Sequence, residues 1–167
     1  MRRIALLALV ALALPAALNA QARLMVGAGI SSPNGDFAKA VNAGKHGRVG
    51  LQVSVPVFPV SLRAEGEFHS FSEATGSEKA QLINGTISAV LSLGGIGLTP
   101  YVLAGFGSYR YDDSTTADAV TNRGIHGGLG ASIGALGFGG FAEVRLVNIN
   151  GEDGDSRYVA ATIGFRF

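Results

Sequence analysis

The last eleven residues constrain the chain most. Arg157 to Phe167 reads RYVAATIGFRF. Val159, Ala161, Ile163, Phe165 and Phe167 share one parity, and Tyr158, Ala160, Thr162, Gly164 and Arg166 share the other. A period of two belongs to a β-strand, whose side chains point alternately to opposite faces. The stretch is long enough to cross a bilayer as a tilted strand, which takes about 9–11 residues. It also stops on an aromatic. A soluble domain seldom ends that way, whereas a strand closing a membrane barrel can place the ring at the lipid–water boundary.

Seven other stretches alternate in the same way: 23–31, 48–57, 60–71, 81–93, 99–111, 122–135 and 139–149. The third is the sharpest, with Arg63, Glu65, Glu67 and His69 on one parity and Leu62, Ala64, Gly66 and Phe68 on the other. The connections alternate in length. Ser32–Gly47, Ser72–Ala80, Asp112–Thr121 and Asn150–Ser156 are long and polar, while Phe58-Pro59, Gly94–Leu98 and Leu136–Phe138 are tight. Successive long and short links predict an antiparallel up-and-down meander. Eight strands suit a small closed barrel filled by its own side chains. The run Leu82 to Phe106 is apolar enough to resemble a membrane helix, but Asn84, Gly85, Gly94, Gly95 and Pro100 favour a hairpin.

Met1 to Ala20 reads as a signal peptide. Arg2 and Arg3 are the basic region, Ile4 to Leu14 the apolar core, and Leu18-Asn19-Ala20 the cleavage site. The remainder, 21–167, is expected to form one barrel domain. Removing residues 1–20 takes away two arginines and no acid, so 13 basic and 12 acidic residues become 11 and 12. A charge of −1 offers no basic field for nucleic acid. Cysteine is absent, which excludes disulfides and thiolate metal sites.

Alternation does not say which face points outward. The polar faces are rich in Gly, Ser, Thr and Asn and poor in lysine, whereas a water-facing surface is about 25–35% charged. An Arg or Lys facing lipid at mid-membrane costs about 2–4 kcal/mol. The mid-strand charges therefore belong in the lumen, and the aliphatics face lipid. This parity argument places Arg63, Glu65, Glu67, Arg110, Glu143 and Arg145 in a lumenal charge network, together with Arg23, Arg48 and Arg166. It also turns Phe68, Tyr101, Tyr109, Tyr111, Phe165 and Phe167 outward as two aromatic girdles.

A leader, eight alternating strands and a GFRF ending resemble the small eight-stranded outer-membrane β-barrels of the OmpA/OmpX type. The resemblance covers the chain from Gln21 to Phe167. It implies an outer-membrane location and transit with periplasmic chaperones. It also implies that Val159, Ala161, Ile163, Phe165 and Phe167 act as a C-terminal signal for the barrel-assembly machinery. No peptidoglycan-binding domain follows the barrel here, so a cell-wall tether is not expected.

Chemistry is sparse. Some barrels of this size modify lipid A with a His, a Ser and an acid. His126 faces the lumen and lacks a nearby Ser, and His69 and Ser70 point to opposite faces. No local spacing brings a base within the about 2.6–3.2 Å that a nucleophile needs, so no catalytic residue, cofactor or metal site is assigned. The stretch NINGEDGDS (148–156) is oxygen-rich but lacks the EF-hand spacing. The glycines of 126–140 lack a following helix for a phosphate and suit close packing instead. Arg123 and Arg157 have outward parity at the loop ends of their strands, where they can meet lipopolysaccharide phosphates. The expectation is a monomeric, non-enzymatic barrel in contact with outer-membrane lipid and lipopolysaccharide. Its role would be structural or surface-interactive, of adhesin or resistance type, with a lumen plugged by charge. A small ion-conducting pore is the alternative, and a lipid A-modifying enzyme a more distant one.

Overall fold

A computed structural model describes residues 21–35, 37–54, 58–72, 79–95, 97–112, 120–135, 138–151 and 154–167. The expected leader at 1–20 lies outside the described residues, as do 73–78, 113–119 and 152–153, which carry much of the acidic loop sequence.

Eight strands form one closed antiparallel barrel in sequence order. They are β1 (Gln21–Asn34), β2 (Gly44–Ser54), β3 (Val60–Ser72), β4 (Lys79–Ser92), β5 (Leu98–Asp112), β6 (Val120–Ala135), β7 (Phe138–Gly151) and β8 (Gly154–Arg166). Several reach further toward the long connections than the hydrophobic alternation does; β2 begins at Gly44 and β1 runs through Pro33. A single helical turn, α1 (Phe37–Ala40), sits between β1 and β2. Between β4 and β5 the chain reverses on Gly94, Gly95 and Gly97, all at positive φ, a region that glycine enters without penalty. The barrel closes between β1 and β8. Its seam ends where the Phe167 amide donates to Leu24 O at 2.9 Å and the Leu24 amide donates to Phe167 O at 3.0 Å.

Large aliphatic and aromatic side chains are exposed all the way round, among them Leu24, Val49, Leu62, Ile87, Phe106, Leu129, Leu146 and Ile163. An apolar belt on every strand is far larger than a soluble monomer shows and matches hydrocarbon. Phe58, Phe138, Phe165 and Phe167 are exposed at the turn end.

β5 corrects the parity reading. Tyr101, Leu103 and Tyr109 are buried inside the barrel, and Tyr111 packs against an inner cluster, so none joins an outward girdle. Val102, Ala104, Phe106, Ser108 and Arg110 face out. Arg110, expected in the lumenal network, is exposed on the outer face at the loop end. The cost of a charge facing lipid falls to about 0–1 kcal/mol near the interface, so the rule that fixes mid-strand charges has no force there. Inside, Tyr101 gains a carboxylate partner that lipid would not supply.

Candidate functional site

Inward side chains stack in layers along the barrel. Near the turn end lie Val90, Tyr101 and Leu103. Above them six charges interlock: Arg48, Arg63 and Arg145 against Glu65, Glu67 and Glu143. Arg48, which parity also placed in the lumen, joins the cluster while Arg110 does not, and three arginines balance three glutamates.

Two residues act as hubs. Glu143 accepts from Arg63 Nη1 at 2.6 Å, Arg48 Nη1 at 2.8 Å, Arg145 Nε at 2.5 Å and the Tyr101 hydroxyl at 2.8 Å. Arg145 donates to Glu143, to Glu67 at 2.9 Å, and to Glu65. Arg63 also donates from Nε and Nη2 to Gln52 Oε1 at 3.1 and 2.9 Å and lies over the Tyr101 ring. Arg48 lies over the Phe141 ring at 5.2 Å, and its Nε and Nη2 have no protein acceptor. Side chains this buried are held only because nearly every charge has an opposite partner and a hydrogen bond.

Toward the loop end a second polar group follows. Ser31 Oγ lies 2.9 Å from both His46 Nδ1 and His69 Nδ1. His69 Nε2 lies 3.2 Å from Glu67 Oε2, and His46 Nε2 lies 2.8 Å from Thr162 Oγ1. Sequence reasoning missed this group because its members come from β1, β2, β3 and β8. Only the barrel register brings them together: Gly29 pairs with His46, His46 with His69, and Gly29 with Thr162. His126 is apart from it and bonds Ser88 Oγ through Nε2 at 2.8 Å.

The connectivity Ser31–His69–Glu67 is that of a nucleophile, base and acid. Ser31 and His69 are nevertheless 0% exposed, and the chain lies under an apolar cap. The cap comprises Phe71, Leu82, Tyr109, Val147, Ile149, Tyr158 and Ala160, with Val41 buried among them and Phe37 of α1 packed against them.

On the outer face, Arg110 and Arg123 are diagonal neighbours, since Arg110 pairs with Thr121 and Ser108 with Arg123. Arg123 tops a groove of about 790 Å³ whose floor includes Ile87, Phe106 and Ile125. Arg157 donates from Nε to Asn148 Oδ1 at 3.0 Å and lies 3.5 Å from Asp155. Val159, Ala161, Ile163, Phe165 and Phe167 lie on the outward parity of the last strand, and Ile163, Phe165 and Phe167 are exposed. Among the described residues no cluster of His, Cys, Asp or Glu is arranged to hold a metal.

No family model matches the chain, and no curated protein matches it in sequence. Solved structures match its fold. Neisserial surface protein A superposes with a TM-score of 0.71 at 17% identity, over 88% of this chain and 97% of that one. The N-terminal β-barrel domain of Pseudomonas aeruginosa OprF gives 0.52 at 17% identity, over 89% and 99%. Ail, the attachment invasion locus protein of Yersinia pestis, gives 0.54 at 12% identity, over 87% and 97%. The chain has the fold of these small eight-stranded outer-membrane β-barrels, and its apolar belt fits it to the same membrane.

Proposed function

We propose that this barrel is a monomeric, non-enzymatic component of the outer membrane with a structural and surface-interaction role, of adhesin or resistance type, and a closed lumen. The observation that carries the reading is a set of six interlocked charges inside the barrel beneath an apolar cap. Ion passage requires a continuous wet path, and the Arg145 and Glu143 hubs lie across it. Planar-bilayer recording of the native protein tests this. Closed membranes are expected; large, stable channels that disappear on substitution of Glu65 or Arg145 would overturn the plug. Ail, the attachment invasion locus protein, shares the scaffold, which fits a surface role for the loops. Removing the outer loops is expected to leave insertion intact and abolish a surface phenotype.

Lipopolysaccharide is the proposed lipid partner. Two guanidinium groups set diagonally on one face repel each other unless an anion lies between them, and Arg110 and Arg123 are so placed. The apolar floor of the groove under Arg123 suits an acyl chain below a phosphate. Arg157 marks a second point on the same rim. An Arg110→Ala, Arg123→Ala, Arg157→Ala variant is expected to co-purify with less lipopolysaccharide at equal barrel yield. Unchanged co-purification would remove the arginines from this role. The outward residues Val159 to Phe167 are proposed to engage the assembly machinery during biogenesis, after escort by periplasmic chaperones.

A further inference from the structure

The two histidines under the cap share one hydroxyl, and that fixes every proton in the chain. Glu67 is acceptor-only when ionised, so the His69 nitrogen facing it, Nε2, carries the hydrogen. A neutral His69 then presents Nδ1 as an acceptor, and Ser31 donates to it. Ser31 has one proton, so its contact with His46 runs the other way: His46 Nδ1 donates to Ser31 Oγ. His46 Nε2 is left as an acceptor, and the Thr162 hydroxyl donates to it. The hydrogen bonds run in one direction, from Thr162 through His46, Ser31 and His69 to Glu67. This order holds only while both imidazoles are neutral.

One added proton reverses it, and a second breaks it. With one proton added, His69 donates from Nδ1 to Ser31, Ser31 donates to His46 Nδ1, and His46 carries its own proton on Nε2 facing Thr162; with both rings charged, Ser31 faces Nδ1–H on two sides and its proton has no acceptor. A charged His46 turns its Nε2–H on the Thr162 hydroxyl, which must swing its own proton away. The ring centroids are 5.0 Å apart, so charging both adds repulsion. The charged groups acting on His46 are Glu67, Arg48 and Arg145, besides His69. Glu67 is shared with Arg145, which limits what it can offer a second cation. Asn84 approaches both Glu67 and the Tyr158 hydroxyl and completes the neighbours of His69.

The strain has a route to the mouth. His69 stacks on Phe71 at 5.9 Å and meets Tyr158 edge-on at 5.3 Å, and Phe71 meets Phe37 of α1 at 5.6 Å. Helix α1 rests on β1 and β8, holding Val41 in the cap. We infer that the Ser31–His46–His69 group is an acid-sensitive latch: protonation of the pair loosens the apolar cap and releases α1 from the barrel mouth.

Hydrogen exchange at the 37–41 amides, followed from about pH 7 to about pH 4 in lipid vesicles and corrected for intrinsic exchange, tests the latch. Protection is expected to fall as the pH drops, by about tenfold per pH unit for each proton taken up on release, and the fall ends once the latched rings are themselves protonated. A His46→Gln, His69→Gln variant should lose that slope, and each single variant serves if the pair fails to fold. His126→Gln, whose ring bonds Ser88 instead, should keep it. A native protein with pH-independent protection overturns the latch, as does a double or single His46/His69 variant that keeps the full slope. The readout is local to α1, so it does not depend on whether the lumen conducts.

Discussion

At the residue scale, Arg145 does most to hold the interior together, because three carboxylates depend on it. Removing it leaves Glu65, Glu67 and Glu143 short of a counter-charge inside the barrel. Breaking a buried pair from one side costs about 3–5 kcal/mol, so Arg145→Ala should lower the urea midpoint of unfolding from vesicles by that equivalent. Arg48 binds through Nη1 alone and leaves Nε and Nη2 unpartnered. Arg48→Met keeps contact with Phe141 and should cost clearly less. Equal losses would mean that charge count, not bonding, decides. The outer face obeys the opposite rule. Ile163 is 71% exposed on the outer face of the last strand, and Ile163→Arg should cost up to about 2–4 kcal/mol in the same assay. Arg110→Leu, at the rim, should be close to neutral.

At the element scale, glycines make the strands fit. Inward-facing glycines recur beside large side chains of the neighbouring strand: a Cβ on Gly130 would lie 2.5 Å from Tyr101 Cζ, and one on Gly105 would lie 2.8 Å from His126 Nε2. Gly85 faces out, with nothing within 4 Å of an added Cβ. Gly130→Ala is therefore expected to destabilise by about 1–3 kcal/mol, the cost of overpacking. Gly85→Ala should be neutral or stabilising by up to about 1 kcal/mol. Thermal loss of the heat-resistant gel band ranks the two. The same elements show what the sequence reveals. In β3 and β7 charges and aliphatics sit on opposite parities, so phase and lumenal residues are legible. β5 is apolar on both faces, with Tyr101, Leu103 and Tyr109 inside and Val102, Ala104 and Phe106 outside. Its one basic residue lies where lipid no longer penalises charge, so parity alone points the wrong way. The Ser31–His46–His69 group was illegible for another reason. It is 15 residues from Ser31 to His46 and 38 to His69, and a register slip of one would send every member outward.

At the scale of the whole molecule, closure brings the two most distant strands together, and Phe167 finishes the seam. Its backbone makes two hydrogen bonds to Leu24, while its ring meets Phe138 at 5.5 Å and is otherwise exposed toward lipid. The backbone and the ring can therefore be separated experimentally. Phe167→Ala keeps both seam hydrogen bonds and loses about 0.5–1.5 kcal/mol, the worth of an aromatic pair. Deleting Phe167 loses the hydrogen bonds as well and should open the turn end of the seam. If the outward residues of β8 serve only stability, yields in cells should track refolding into vesicles for both variants. If they are also read by the assembly machinery, Phe167→Ala should insert poorly in cells while refolding almost normally in vesicles. Membrane-fraction yield compared with vesicle refolding separates the two outcomes. Parallel losses would confine the last residue to closing the barrel.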